Sequence, residues 1–198
     1  MQCEKCVRVR NPVQRGASAL YLVAYLSELG LHRGREVRDA DDEVFAFITD
    51  LLRSSGTYLY GRRMYETMAV WETDPTVAAQ SELRSDFAHV WQAANKVVYS
   101  TTLRKVSTAK TQLERNFDPD AIRDLKVSAA EDLTVGGPNF AAHAFKAGLV
   151  DECQLLIWPV VVGAGKSSLP RDTRADLELL DERRFSRGVV YVRYRVVS

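Results

Sequence analysis

Cysteine is scarce in this 198-residue chain, with three residues at positions 3, 6 and 153, and histidine is no commoner, at 32, 89 and 143. So odd and sparse a set of thiols does not build a disulfide framework, and it points to a reducing cytoplasm. Cys3-x-x-Cys6 has the spacing of half a zinc site or of a redox pair, yet only Cys153 and the scattered histidines are left to complete it. The plainer reading is a pair of free thiols on a loose terminus, and no metal is expected. An excess of one charge is also lacking: 27 Lys and Arg against 26 Asp and Glu leave a formal net charge of +1. Such a chain has no global field for a polyanion, so nucleic acid is not an expected partner. The longest apolar runs, Ala19 to Leu26 and Leu155 to Val162, fall far short of the ~20 residues that cross a bilayer. The start of the chain, with Glu4 and Lys5 and no apolar core close behind, does not read as a secretory leader. What is present, 46% hydrophobic and 27% charged residues, is the composition of a globular protein able to bury the core of one domain.

From residue 1 to about 40 the sequence is irregular and Arg-rich apart from Ala19 to Leu26, and the chain is expected to divide into an N-terminal extension over 1–18 and one domain over 19–198. From Asp41 onward helical and strand patterns alternate. Val44, Phe45, Phe47, Ile48, Leu51 and Leu52 form an amphipathic stripe behind Asp41 and Asp42, with Gly56 expected to close the helix. Thr57–Tyr60 reads as a strand meeting Gly61 and a helix through Met64, Met68 and Trp71. A further helix is expected over Ser81–Ala94, strands over Lys96–Ser100 and Lys110–Leu113, a helix from Pro119 to about Ala129, and a strand over Asp132–Val135. That strand runs into Gly136-Gly137-Pro138 and a helix ended by Gly148. Strands separated by helices imply βαβ units and a mostly parallel sheet. Cys153–Val162, Leu177–Leu180 and Val189–Val197 follow without helices, so the sheet should finish antiparallel. The fold class is therefore α/β, a mostly parallel central sheet flanked by helices with antiparallel C-terminal strands.

In an open parallel sheet, ligands lie beyond the carboxyl ends of the strands, where helix starts offer N–H groups to phosphate. Two junctions have suitable residues. Gly61-Arg62-Arg63-Met64 puts a glycine and two guanidiniums at a helix start, and Gly136-Gly137-Pro138 lets main chain approach a ligand with proline at a first helical position. Each alone is more often a tight turn or a solvated helix end. A third stretch, Ser100-Thr101-Thr102, places hydroxyls at a strand end, where they bond phosphate or ribose oxygens or terminate the strand locally. Gly163-Ala164-Gly165-Lys166-Ser167 is not a P-loop, because the position that needs glycine is Val160.

Taken in order with Gly148–Glu152 and Pro159–Gly165, these stretches resemble the dihydrofolate-reductase-like superfamily, specifically the C-terminal reductase domain of the riboflavin-biosynthesis deaminase/reductase. The resemblance covers Asp41 to Val196. It implies a sheet that holds NADPH across its carboxyl edge, usually in a homodimer. It further implies Gly61, Arg62 and Arg63 on the adenosine and phosphate side, Ser100 and Thr101 near a 2′-phosphate, and Gly136, Gly137 and Pro138 at the pyrophosphate. Met64 stands where relatives often have Thr.

The front end departs from that pattern. Relatives open with a strand into Ser-Leu-Asp-Gly and an aromatic, whereas Ala19–Leu26 is followed here by Ser27-Glu28-Leu29-Gly30. Glu28 either replaces the missing Asp as the catalytic carboxylate or is an exposed carboxylate on a helix over Leu20–Leu29. The expected activity is hydride transfer from NADPH to a small heterocycle, with the pyrimidine ribosylamino phosphate of riboflavin synthesis as best substrate. The alternatives are reduction of a pterin such as dihydrofolate, and a nucleotide-binding or dimeric scaffold without catalysis. The expected dimer interface involves Leu155 to Pro159 and Val189 to Tyr194, and Trp158 is either its apolar anchor or part of the chain's own core.

Overall fold

The computed structural model describes residues 18–26, 42–160, 169 and 173–197. One eight-stranded sheet organises them, in the order β4-β3-β2-β5-β1-β6-β8-β7. Its strands in chain order are β1 (Leu20–Leu26), β2 (Ser55–Gly61), β3 (Asn95–Tyr99), β4 (Thr111–Glu114), β5 (Asp132–Gly136), β6 (Glu152–Ile157), β7 (Asp176–Arg184) and β8 (Val190–Val197). From β4 to β6 every pairing is parallel, and β6–β8 and β8–β7 are antiparallel. The α/β class and the antiparallel finish expected from the sequence are both present.

β1 lies in the sheet between β5 and β6, so a helix over Leu20–Leu29 is excluded for residues 20–26. Two carboxylates fix its entry. Asp132 Oδ1 accepts from Ala19 N at 3.1 Å and Asp151 Oδ2 from Leu20 N at 2.7 Å, while Lys126 Nζ holds Asp151 at 2.7 Å. Backbone donors of a central strand are thus satisfied from its first residue, as burial demands.

The helices α1 (Asp42–Arg53), α2 (Arg62–Met68), α3 (Val70–Thr73), α4 (Pro75–Ala78) and α5 (Glu82–Ala93) precede β3, whereas α6 (Pro119–Ser128) and α7 (Pro138–Lys146) flank β5. In α1 the i, i+4, i+8 set Val44, Ile48 and Leu52 is buried, with Asp42 and Glu43 at the positive end and Arg53 at the negative one. Ser81 and Asp118 cap α5 and α6 through their side chains. One core joins α1, α2 and α5 to one face of the sheet, through Tyr58, Tyr60, Trp91 and Tyr191. The second joins α6 and α7 to the other, through Leu59, Leu133, Ile122 and Phe140.

Gly56 does not end α1. The helix stops at Arg53, and Gly56 is the extra residue of a bulge in β2, where Ser55 pairs with Asp132 but Thr57 with Leu133. A Cβ at Gly56 would lie 2.9 Å from Glu131 Cβ and closer still to its carboxylate, so close packing explains the glycine.

Candidate functional site

The order of strands defines where a ligand belongs. After β2 the chain moves outward to β3 and β4. After β5, the neighbour of β2, it moves the opposite way, past β1, to β6. The carboxyl ends of β2 and β5 therefore flank a switch point, the position at which open α/β sheets form their binding crevice. Gly61 ends β2 and Gly136 ends β5, so the two junctions singled out in the sequence meet there.

Their packing is tight. A Cβ on Gly136 would lie 2.9 and 3.0 Å from two ring carbons of Tyr60 and 3.4 Å from Met64 Cγ. Gly137 has φ +94°, and a Cβ there would come 3.2 Å from Met64 Cβ. A Cβ on Gly61 would meet Phe140 Cβ at 3.3 Å. Met64 thus lies against the Gly-Gly segment, and the three glycines bring both junctions into contact. Gly137 caps α7 without a side chain, and Pro138 is its first residue, so the start of this helix keeps its N–H groups clear of any side-chain cap. Tyr60 is held behind the junction by Trp91, whose indole N–H donates to its hydroxyl at 3.3 Å.

The third stretch joins the first through one arginine. Arg62 Nη1 donates to Thr102 Oγ1 at 2.9 Å, and its Nε to Glu66 at 2.7 Å. Arg63 is exposed and has no ion pair among the described residues. Ser100 Oγ accepts from the N–H of Thr102 at 3.2 Å and of Leu103 at 2.9 Å, so its first role is local, while Thr101 is exposed on the same turn. Arg115, at the end of β4, donates from Nη1 to the carbonyls of Ser100 and Leu103. The loop beyond is pinned by Tyr65, whose hydroxyl accepts from Ser107 N at 2.7 Å, and by Glu72, which accepts from Ala109 N at 2.6 Å. Arg104 and Lys105, both exposed, ride on that loop. Behind the edge, Tyr99 stacks on Phe140 at 4.5 Å. Burial first, then Glu114 and Asp118, push its phenol up to about 12, which keeps it neutral.

Gly61, Arg62, Arg63, Ser100, Thr101, Gly136, Gly137 and Pro138 are thus all at the carboxyl edge, in two linked groups. Glu28 lies outside the described residues, as do Cys3, Cys6 and the Gly163–Ser167 segment. Sequence reasoning missed Arg115 and Tyr65, because nothing local marks a polar residue after a short strand or a tyrosine inside a helix. Among the described residues no cluster of His, Cys, Asp and Glu is arranged to hold a metal ion, and no helix is long and apolar enough to cross a membrane.

The residues present suit a dinucleotide. There is glycine main chain at the switch point, a helix start beside it without a side-chain cap, and a group of guanidiniums of which, among the described residues, Arg62 alone has a carboxylate partner, Glu66. With α2 only seven residues long, its contribution rests on its guanidiniums rather than on its dipole.

Residues 31–191 match the RibD C-terminal domain. Over 148 residues the chain is 28% identical to "Uncharacterized protein YyaP" of Bacillus subtilis (strain 168), which covers 74% of this chain and 77% of that protein. Its fold is shared with a putative riboflavin biosynthesis protein from Shewanella sp. PV-4, at 16% identity and TM-score 0.64, over 92% of this chain and 99% of that one. A pyrimidine reductase-like protein from Corynebacterium diphtheriae superposes with TM-score 0.57 at 12% identity, over 91% and 92% of the two chains.

Proposed function

This chain belongs to the RibD C-terminal domain family, and from that premise we propose that it is an NADPH-dependent reductase of a small heterocyclic substrate. The best single substrate is 5-amino-6-(5-phosphoribosylamino)uracil. The observation that carries the reading is the switch-point crevice, where Gly61, Gly136 and Gly137 bring main chain together beside Arg62, Arg63 and the Ser100–Leu103 turn.

Bound NADPH supplies the hydride, so this chain's own work is binding, alignment and exclusion of water. The start of α7 and the Gly136-Gly137 main chain receive the pyrophosphate. Arg62 and Arg63, with the hydroxyl of Thr101, receive the phosphate on the adenosine ribose. Tyr60 and Met64 pack against the glycine edge, and Trp91 holds Tyr60 from behind. Glu28 is kept as the proposed substrate carboxylate, since in the sequence it follows by two residues the end of β1, a sheet strand rather than a helix.

Thermal denaturation tests the cofactor. NADPH is expected to raise the melting temperature more than NADH at equal concentration, because extra cations and donors suit a 2′-phosphate. Equal shifts, or none, overturn the assignment. Loss of NADPH absorbance with the pyrimidine substrate rather than dihydrofolate then identifies the reaction, whereas binding without turnover on either favours a scaffold.

A homodimer belongs to the same proposal. Within the expected interface Ile157 is 37% exposed, whereas Leu155, Leu156, Val189 and Tyr191 are buried within this chain and Trp158 packs against its first core. Further exposed apolar surface lies on edge strand β7, at Leu177 (40% exposed) and Leu179 (49% exposed).

A further inference from the structure

Two basic residues standing three and two places before a hydroxyl form the charge pattern by which basophilic protein serine/threonine kinases select substrates, since carboxylates of the kinase receive the two cations. In the whole sequence two hydroxyls have it: Ser107, behind Arg104 and Lys105, and Ser186, behind Arg183 and Arg184. The sequence treats them alike, and the structure separates them.

At Ser186 the pattern is closed. The residue lies inside the turn between β7 and β8, where Phe185 N donates to Val189 O at 2.9 Å and Gly188 N to Phe185 O at 3.0 Å. Arg183 is committed to Glu43 Oε1 at 2.8 Å, and its guanidinium lies 4.6 Å over Phe185 and 5.2 Å over Phe47. A kinase would have to open the turn and draw the arginine off its carboxylate.

At Ser107 the pattern is open. Residues 103–107 belong to no helix, strand or turn. Lys105 and Ser107 are exposed, Val106 is half-buried and Thr108 is buried, the alternation of an extended segment laid on a surface. Arg104 and Lys105 are both exposed and have no ion-pair partner among the described residues. The hydroxyl itself is dispensable to the fold. Ser107 Oγ lies 3.1 Å from the Tyr65 hydroxyl, which also bonds Ser107 N at 2.7 Å and Thr108 Oγ1 at 3.1 Å and keeps both when Oγ is taken.

We propose that Ser107 is a phosphorylation site for a basophilic protein serine/threonine kinase. ATP held with magnesium by the kinase gives its γ-phosphoryl group to Ser107 Oγ. The new P–O bond forms as the bond to the ADP oxygen breaks, the serine proton passes to the kinase's catalytic aspartate, and ADP leaves. The phosphate brings about −1.5 to −2 charges at neutral pH, which answer Arg104 and Lys105. A loop with two unanswered cations is thereby brought close to neutral, and what the protein surface attracts there changes with it.

The folded full chain, incubated with magnesium ATP and the catalytic subunit of cyclic-AMP-dependent protein kinase, tests it, with intact mass and peptide mapping as the readout. One phosphoryl group on Ser107 is expected, and none in Ser107→Ala. Arg104→Ala, which removes one charge-assisted contact to the kinase, should slow transfer about tenfold to a hundredfold. A synthetic peptide of residues 101–112 runs beside the chain. If the peptide is refused, the motif is not recognised and the proposal falls. If the peptide is accepted and the folded chain is not, the loop is closed and it falls equally. Transfer to Ser186 in place of Ser107, or transfer to Ser107 indifferent to Arg104→Ala, would also overturn it.

Discussion

At the scale of single residues, burial decides which groups can react. Cys153 is wholly buried in β6, and burial, with Glu152 adding to it, pushes its thiol up to about 11. It is therefore protonated at neutral pH and a poor nucleophile. Iodoacetamide at pH 8 should leave Cys153 unlabelled in the native protein and label it in urea, as peptide mapping would show. Native labelling would mean that the strand opens. The same shift has a sign in stability. A thiol with a raised folded value contributes fully below the ordinary value of about 8.5, and this contribution is lost as pH rises towards about 11. Unfolding measured across that window should show wild type losing stability relative to Cys153→Ala. Lys96 is a second buried group, whose ammonium donates to Trp91 O at 3.2 Å and Ala94 O at 3.0 Å and lies 4.4 Å over the Trp91 ring. Burial lowers its pKa against an opposing pull from Glu72. It closes the C-terminal end of α5, and Lys96→Met, which leaves those carbonyls unpaired, should lower unfolding free energy by about 1–3 kcal/mol in a denaturant titration.

At the scale of elements, the two strand–turn–helix junctions depend on each other. Gly137→Ala places a side chain at φ +94° and against Met64, so it should destabilise the apo protein by about 1–3 kcal/mol, read as a lower melting temperature. Gly137→Val will do so more strongly, and loss of NADPH binding in it cannot be separated from loss of fold. The junctions were legible in the sequence because glycine, proline and arginine cluster where a strand pattern turns helical. Gly56 misled because a glycine shortly after an amphipathic stripe satisfies both a helix stop and a bulge, and the choice is made by Glu131, 75 positions away. β7 was read only over Leu177–Leu180, yet it runs from Asp176 to Arg184, since an exposed edge strand needs no apolar alternation to pair with β8. Arg115 was invisible because its meeting with Ser100 follows from β4 lying beside β3, which is a tertiary fact.

At the scale of the whole molecule, β7 is the last strand of the sheet among the described residues and exposes Leu177 and Leu179. Approach of a second copy along this strand would cover them. A two-fold dimer is the commonest closed assembly. Light scattering should give the mass of two chains at micromolar concentration, and Leu179→Lys should give a folded monomer. A wild-type monomer, or a dimer unmoved by that change, would rule out this edge. The place of β1 has a different kind of consequence. It is the first of the described strands in chain order, yet its partners are Leu133 to Val135 and Glu152 to Ile157. While the chain is being synthesised, β1 emerges more than 100 residues before either neighbour exists, the Ala19–Asp132 contact alone spanning 113 positions. The centre of the sheet cannot zip up in order and must await the last third of the polypeptide. High contact order of this kind places folding towards the slow end for small domains, roughly milliseconds to seconds. A nascent or truncated chain ending before β6 would carry an unpaired apolar strand, Leu20–Leu26, as a chaperone client or an aggregation seed.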